Sequence, residues 1–393
     1  MPPVAHCRAT LPTSAHAVAK PRRRTVSVPS LFPPVPRQPE LSPPVPAERA
    51  PALSGQVGIA RLAASSALSQ QKRGTEYFLL PVRTILNRCN SPRVPFEWTV
   101  NPYRGCEFGC RYCYARYTHE FMELDAADFE HKIYVKQNAA ALIDRDVEEH
   151  LKPRTSDLEF PHVAIGTATD PYQPAEREFG VTREILERLA EREGLSLSIT
   201  TKSNLVVRDL DLLKRIAARS SLSINITVTT VRPRLARMLE PRAPRPDLRL
   251  ATARQLREAG LQVGVFAMPI LPGLTDREAD LDALCRAARD AGAQWLGAQV
   301  LFLMPAAQKI FFPFLEEKFP KLVRRYREFY ARDAYGQEGY RREITALVRR
   351  LRAKHGLASR PYAPEAVARS LATRSAQLSL QLDAATNAAK MGL

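Results

Sequence analysis

The chain has 393 residues, of which 45% are hydrophobic and 25% are charged, and its net charge is +17. This length and composition provide enough apolar surface for a sizeable core in one or two domains. No run of 18 apolar residues occurs in the sequence. We therefore expect no transmembrane helix and no membrane partner.

The positive charge is concentrated near the two ends of the chain. Residues 1–74 carry a net charge of +8 and residues 321–354 a net charge of +7, whereas residues 75–320 are close to neutral. A basic region indicates nucleic-acid binding only where its charges cluster on one face. The neutral middle argues against a general nucleic-acid-binding surface there and leaves nucleic acid as a candidate partner of the basic ends.

The first 74 residues have the composition of a disordered tail. Residues 1–50 contain 12 of the 32 prolines and few aromatic residues, so this stretch buries too little apolar surface to offset the entropy of ordering. The arginine triplet at 22–24 resembles a twin-arginine export signal, but four prolines between 29 and 36 interrupt the apolar run that such a signal needs. We therefore expect a cytoplasmic protein.

Beyond the tail, short apolar runs alternate with amphipathic segments. Apolar runs of about five to nine residues are typical of parallel strands covered on both faces. We predict six strands, at residues 97–100, 163–167, 195–200, 222–228, 263–268 and 294–303. We predict helices at residues 114–124, 138–151, 182–192, 209–218, 234–240, 248–259, 276–291, 309–332 and 338–354.

Six strand–helix units predict an α/β fold, a partial (β/α)6 barrel of the TIM type with its catalytic groups at the C-terminal ends of the strands. The predicted domains are a disordered tail at 1–74, the barrel core at 75–305, a basic helical extension at 306–356 and a loose tail at 357–393. We expect a monomer.

The most informative stretch, at residues 101–121, reads NPYRGCEFGCRYCYARYTHEF and contains Cys106, Cys110 and Cys113 in the spacing C-x3-C-x2-C. Three thiolates this close can hold an iron–sulfur cluster. A [4Fe-4S] cluster has four irons, so three cysteines leave one iron open to a small chelating ligand. Tyr112, just before the third cysteine, is a candidate to cover the cluster or that ligand.

Three other interpretations of these cysteines remain open on the spacing alone. A disulfide with one spare thiol is one, although disulfides suit oxidising compartments. A zinc site formed by Cys106, Cys110, Cys113 and His119 is another, since structural zinc takes four Cys or His ligands. Three ordinary cysteines in a loop are the third. The remaining cysteines are isolated in the sequence and are expected to be structural.

The pattern C-x3-C-x-aromatic-C resembles the signature of the radical S-adenosylmethionine (SAM) superfamily. Tyr112 and Tyr114, on either side of the last cysteine, resemble the spore photoproduct lyase branch, which includes DNA repair photolyase-like proteins. This resemblance implies a (β/α)6 core and a [4Fe-4S] cluster whose open iron chelates SAM. It also implies reductive cleavage of SAM to a 5′-deoxyadenosyl radical for hydrogen abstraction, an electron donor such as ferredoxin or flavodoxin, and catalytic roles for both tyrosines.

Polar residues occupy the predicted strand ends. Thr169 and Asp170 follow the second strand, where they either cap a turn or hold the ammonium group of a ligand. Lys202 ends the third strand, and a lysine there faces solvent or an acidic ligand because it is costly to bury without a partner. Ser223 and Asn225 share one face of the fourth strand.

The resemblance implies SAM contacts at several of these positions. TDPYQPxE at residues 169–176 is similar to the element of this branch that binds the SAM amino group, and Glu176 completes it. Lys202 and Ser223 match positions that contact SAM. The candidate SAM-binding residues are Thr167, Thr169, Asp170, Lys202, Ser223 and Arg242.

Arg242 and Gly264 each allow two interpretations. Arg242 either forks onto a carboxylate of SAM or substrate, as guanidinium does well, or forms a surface ion pair with Glu240. Gly264 either makes room for the adenine or serves apolar packing. Tyr103 and Arg104 are candidates for supporting roles beside the cysteines.

One departure from the branch concerns the hydrogen donor. Spore photoproduct lyases use a cysteine two residues before the strand-two Ser/Thr that contacts SAM, and Thr167 occupies that position here. Thr lacks the weak S–H bond, which argues against repair of a thymine lesion by that route, although Tyr114 matches the tyrosine of the route. A nucleic-acid lesion, an RNA base, a peptide and a small metabolite stay open as substrates. The alternative functions are a non-catalytic zinc- or nucleic-acid-binding protein and a plain iron–sulfur electron-transfer module.

Overall fold

A computed structural model describes residues 56–72, 74–151 and 161–359 of the chain. Within these residues the strands are β1 (Ala67–Lys72), β2 (Thr75–Leu80), β3 (Leu86–Arg88), β4 (Trp98–Val100), β5 (Tyr103–Arg104), β6 (Lys132–Lys136), β7 (His162–Ile165), β8 (Ser196–Thr201), β9 (Ser221–Thr227), β10 (Gln262–Ile270) and β11 (Trp295–Val300). The α-helices are α1 (Gly58–Ala64), α2 (Tyr117–Glu120), α3 (Ala139–His150), α4 (Glu176–Phe179), α5 (Val181–Leu189), α6 (Leu210–Arg219), α7 (Pro233–Leu239), α8 (Pro246–Glu258), α9 (Glu278–Asp290), α10 (Pro305–Lys318), α11 (Val323–Phe329) and α12 (Glu338–His355). Short 3-10 helices lie at Tyr114–Arg116, Ala126–Glu130, Asn204–Asp209 and Pro320–Leu322.

The larger sheet contains the six predicted strands. β4, β7, β8, β9, β10 and β11 lie side by side in chain order, and each pair is parallel. Helices α5, α6, α8 and α9 return the chain between successive strands. The predicted α/β architecture of six strand–helix units is therefore confirmed, and β3 adds an antiparallel strand at the β4 edge that the sequence pattern missed.

The barrel core consists of aliphatic side chains on the strands and on the inner faces of the helices. Ile199, Ile224 and Val265 on three neighbouring strands are fully buried. In α5 the buried residues Val181, Ile185, Leu186 and Leu189 recur at helical spacing. Burial of each large aliphatic side chain contributes about 1.5–3 kcal/mol, which explains why continuous apolar runs specify these strands.

A second, four-stranded sheet was not predicted. Its order is β1-β2-β6-β5, and β5 ends immediately before residues 105–113, which form the cysteine segment. Its strand β1 and helix α1 fall at 58–72, so the predicted disordered tail is wrong for that part. Residues 1–55 lie outside the described residues. The sheet matters for function because it provides the surface on which the cysteine segment rests.

The basic C-terminal segment packs on the barrel. The predicted helix at 309–332 is split into α10 and α11 at Phe319 and Pro320. Phe311 and Tyr326 belong to the same buried cluster as Cys106 and Cys110. Helix α12 contributes its apolar face to the barrel core. Of the predicted loose tail at 357–393, the residues after 359 lie outside the described residues. None of the helices in the described ranges is long and apolar enough to cross a membrane.

Candidate metal centre and active site

The cysteine segment follows β5 and turns through two glycines with positive φ. Gly105 has φ +85°, and a Cβ there would lie 2.8 Å from the carbonyl oxygens of Phe129 and Lys132. The Cys106 amide donates to the Phe129 carbonyl at 2.9 Å. Only glycine tolerates both this conformation and this approach, so the sequence Gly-Cys fixes the start of the loop.

All three cysteines of the motif are free thiols. Cys106 and Cys110 are buried, and Cys113 is half-buried. Burial raises the pKa of each thiol, and raises that of Cys110 to about 12. Metal binding must therefore displace the thiol protons, as it does wherever cysteine ligates a metal.

The residues around the thiols suit an anionic cofactor. Lys202 is half-buried, and its ammonium makes no hydrogen bond or ion pair with any of the residues that the structure describes. Burial alone lowers the pKa of Lys202, but the negative charges of Cys110 and Glu240 outweigh that effect and raise it. A charged ammonium beside the thiols, without a partner of its own among the described residues, fits an iron–sulfur cluster carrying an anionic ligand.

The four candidate zinc ligands, Cys106, Cys110, Cys113 and His119, are not brought together. Among residues 56–72, 74–151 and 161–359, no three His, Cys, Asp or Glu side chains are placed to hold a single metal ion. The buried His119 ring instead lies 2.9 Å from the Lys132 carbonyl and makes edge contacts with Phe129 and Tyr134. A [4Fe-4S] cluster does not need three side chains around a single ion, because each thiolate binds a different iron.

The residues after β7 hold the cysteine segment in place. Thr169 donates to the Gly105 carbonyl at 2.6 Å. Gln173 donates to the same carbonyl at 3.2 Å and accepts from the Glu107 amide at 2.9 Å. Thr169 and Gln173 are buried, so the TDPYQPxE segment fixes the backbone at Gly105 and Glu107 through these hydrogen bonds. Gln173 was not singled out from the sequence, although the motif that contains it was.

Asp170 and Glu176 organise the same region from within. The Asp170 carboxylate accepts hydrogen bonds from the Thr201 hydroxyl at 2.7 Å and from the Lys202 amide at 2.8 Å. The buried Glu176 pairs with Arg208 at 2.7 Å. Asp170 thus ties the end of β7 to the end of β8 and sets the position of Lys202.

A buried network at the end of β9 contacts the motif through Tyr112. The Tyr112 hydroxyl donates to Glu240 and lies 2.9 Å from the Thr229 hydroxyl. Glu240 pairs with Arg249 at 2.5 Å. Burial alone would raise the pKa of Glu240, but Arg249 and Lys202 outweigh that effect and lower the pKa to about 2. Thr229 and Arg249 were missed because no local motif marks them.

The proposed ion pair between Glu240 and Arg242 is wrong. Glu240 turns inward to Arg249, whereas Arg242 is exposed and its guanidinium donates to the Glu130 carbonyl at 3.3 Å. The Arg242 amide also donates to the Phe108 carbonyl at 3.3 Å. The structure therefore places Arg242 against the cysteine segment, where it binds the Phe108 and Glu130 carbonyls.

Tyr114 and Thr167 are in contact at the mouth of the barrel. The Tyr114 hydroxyl donates to the Thr167 carbonyl. The Thr167 hydroxyl accepts from the Asn101 side chain at 3.1 Å, and Asn101 accepts from the Ala168 amide at 2.7 Å. Tyr114 is 38% exposed, so this pair lies partly at the protein surface.

Ser223 and Gly264 lie deeper in the barrel. Ser223 is buried and sits opposite Ser198 in the first half of β9. A Cβ at Gly264 would lie 2.0 Å from the Trp295 indole nitrogen, which itself donates to Asn225 at 2.9 Å. Gly264 therefore makes room for Trp295, which supports the packing interpretation of this glycine.

Arg116 supports the cysteine loop and was also missed from the sequence. It is fully buried, pairs with Glu130 at 2.5 Å and donates to the Cys110 carbonyl at 3.2 Å. An arginine three residues after Cys113 carries no recognisable signal in the sequence. Its guanidinium fork satisfies several acceptors at once and so fixes the backbone between two thiols.

The fold and the cysteine loop together identify the family. The profile of the radical SAM superfamily matches residues 100–285. An uncharacterized protein of Mycobacterium tuberculosis is 36% identical over 304 residues, covering 76% of this chain and 87% of that protein. The chain belongs to the radical SAM superfamily.

Solved structures similar to this one include spore photoproduct lyase. That enzyme complexed with dinucleoside spore photoproduct has 17% sequence identity and a TM-score of 0.55, over 78% of this chain and 86% of the other. A double mutant of the enzyme with bound AdoMet and dinucleoside spore photoproduct has 18% identity and a TM-score of 0.55, over 77% and 84%. At this identity the likeness shows a shared fold.

Proposed function

We propose that this protein is a radical SAM enzyme that binds a [4Fe-4S] cluster through Cys106, Cys110 and Cys113. The observation that carries the proposal is the buried loop of three free thiols beside the ammonium of Lys202, which has no partner among the described residues. The bound cofactors would supply reductive cleavage of SAM and abstraction of a hydrogen atom from the substrate.

The chain's own residues would orient SAM and shield the reaction from water. Lys202 would bind the SAM carboxylate, because it is a cation close to Cys110 without a hydrogen-bond partner among the described residues. Asp170 holds Lys202 in position through its backbone. Tyr112, anchored to Glu240, would cover one side of the site.

For the substrate, we propose a nucleic-acid lesion or base as the first class to test. This proposal is supported by the fold shared with spore photoproduct lyase and by the position of Tyr114 against Thr167. Because Thr167 is a poor hydrogen-atom donor, we expect the chemistry to differ from a lyase that returns the hydrogen through a cysteine at that position.

We also propose an acidic electron donor, a ferredoxin or flavodoxin. A concave surface of about 420 Å³ adjoins the cysteine loop, and Arg111, Arg237, Lys309 and Lys318 line it together with a single acid, Glu317. Arg111 directly follows Cys110 in the chain. A basic surface next to the metal ligands suits an acidic protein that delivers one electron.

The test of the proposed function is anaerobic reconstitution with iron and sulfide, followed by assay for 5′-deoxyadenosine. We expect Cys106→Ala, Cys110→Ala and Cys113→Ala each to abolish the visible absorption and the product. Cys285→Ala is the control and should keep both. A full cluster in Cys110→Ala would contradict the assignment, and a reducible cluster without 5′-deoxyadenosine would favour a plain electron-transfer module.

A further inference from the structure

Two cations face each other on the small sheet, next to the cysteine segment. In the antiparallel pairing of β5 and β6, Arg104 lies opposite Tyr134 and Tyr103 lies opposite Val135. Side chains alternate along a strand, so Lys136 shares the face of Tyr134 and is the diagonal neighbour of Arg104. Long side chains reach each other across such a diagonal.

Neither cation has a partner among the residues that the structure describes. Lys136 is only 6% exposed and Arg104 is half-buried. Neither side chain forms a hydrogen bond or an ion pair with any described residue, and the Arg104 Nε is inaccessible to solvent. Burial, and after it the charge of Arg104, lowers the pKa of Lys136 to about 7. No carboxylate acts on this pair within the part of the chain that the structure describes.

Two fully buried arginines elsewhere in the described chain are paired, and the half-buried Lys202 lies beside the thiols of the proposed metal site. Arg116 is buried against Glu130, and Arg249 against Glu240, each at 2.5 Å. Lysine is almost never buried unless paired, and burial without a counter-ion disfavours its charged form. Lys136 would therefore keep its full charge at neutral pH only beside an anion, which the described part of the protein does not supply.

The pair lies beside the mouth of the barrel. Arg104 acts electrostatically on Tyr117, whose ring stacks on Tyr114 with centroids 6.4 Å apart. The Lys136 amide donates to the Pro102 carbonyl at 3.2 Å, one residue from the Asn101 that binds Thr167. The thiols, in contrast, have Lys202 and Arg116 as their neighbouring cations.

We infer that Arg104 and Lys136 bind a phosphate group of the substrate. A guanidinium fork and an ammonium point charge together match the oxygens of phosphate, and two cations suit a phosphate better than a single carboxylate. That the ligand is the substrate rests on the proposed function, whereas the phosphate site itself does not.

Thermal-shift and equilibrium titrations of the reconstituted full-length protein test this site. The probes are inorganic phosphate, a 5′-phosphorylated dinucleotide, the same dinucleotide without its 5′-phosphate, and succinate. We expect phosphate and the phosphorylated dinucleotide to stabilise the wild type, and Lys136→Met and Arg104→Met to weaken both by about 10- to 150-fold. Tighter binding of the dinucleotide than of phosphate would identify nucleic acid as the source, and equal binding a smaller phosphorylated molecule.

Matched variants separate binding from folding. Lys136→Arg should retain phosphate binding, and so should Lys132→Met, which removes a half-buried lysine of the same strand that pairs with Asp128 at 3.1 Å. Without phosphate, Lys136→Met should be at least as stable as the wild type, because it removes a buried amine that has no partner among the described residues. A phosphate response unchanged in both Met variants, or absent from the wild type, would overturn the inference. A wild type that binds phosphate but forms no 5′-deoxyadenosine would instead count against the proposed function alone.

Discussion

In the proposed function, Lys202 is the residue on which we expect SAM binding to depend most. We predict that Lys202→Ala keeps the cluster absorption but weakens SAM binding by about 10- to 150-fold, the cost of a charged hydrogen bond in a partly buried site. Equilibrium dialysis of SAM against the reconstituted protein measures the effect. Lys214→Ala, an exposed lysine on α6, is the control and should bind SAM like the wild type.

Equal SAM affinity in Lys202→Ala and Lys214→Ala would contradict this role and show that Lys202 does not contact SAM. Asp170→Ala supplies a second arm. Since the Asp170 carboxylate binds the Lys202 amide at 2.8 Å, its removal should weaken SAM binding by displacing Lys202, and the Lys202 and Asp170 effects should not add.

At the scale of single residues, prediction from the sequence failed where a contact spans the fold. Cys106, Cys110 and Cys113 belong to or pack against one buried cluster, and their role as metal ligands stays a prediction. Glu240 was paired with Arg242, two residues away, but its partner is Arg249 on the next helix. Burial decides between these arginines, and burial depends on the packing of α8 against β9, which short-range sequence does not encode.

At the scale of elements, the glycine between β5 and the first cysteine should determine whether the loop can form. We predict that Gly105→Ala lowers both stability and cluster loading, because its Cβ would lie 2.8 Å from two carbonyl oxygens in a backbone at φ +85°. Strain of this kind costs about 1–3 kcal/mol. Chemical denaturation and iron content per chain measure the two effects.

Gly260→Ala is a matched control for the backbone strain alone. Gly260 has φ +87°, yet a Cβ there meets nothing within 4 Å. It should lose stability through conformation only and should load iron normally. Equal iron loading in Gly105→Ala and Gly260→Ala would show that the close approach at Gly105 does not shape the metal site.

At the scale of the whole molecule, the barrel was predictable and the small sheet was not. Parallel strands buried on both faces give continuous apolar runs, and all six were found. Strand β5 has only two residues and β1 is exposed along most of its length, so neither shows the apolar pattern of a buried strand. The C-terminal helices looked like a separate extension because their charge is exposed, although Phe311 and Tyr326 pack with the cysteine loop.

In the proposed function, an electron would arrive through a surface formed by helices α7 and α10. Helices α7 and α10 carry Arg237, Lys309 and Lys318 around the concave surface beside Arg111, although Lys309 pairs with Glu120 and Lys318 with Glu317. An acidic donor would be steered to this surface, and opposite charge raises association rates by about 10- to 1000-fold at low salt.

We predict that Arg237→Glu combined with Lys318→Glu lowers the ratio of flavodoxin-driven to dithionite-driven 5′-deoxyadenosine formation by at least about 10-fold at low ionic strength. Dithionite is small and needs no docking surface, so the ratio isolates the protein donor. The control, Lys214→Glu with Arg215→Glu, makes the same charge change on α6, which does not line the surface. A ratio that falls equally in both double variants would mean that overall charge, and not this surface, guides the donor. A ratio that falls only for Arg237 and Lys318, and recovers as salt screens the remaining repulsion, would place the donor beside the cysteine loop.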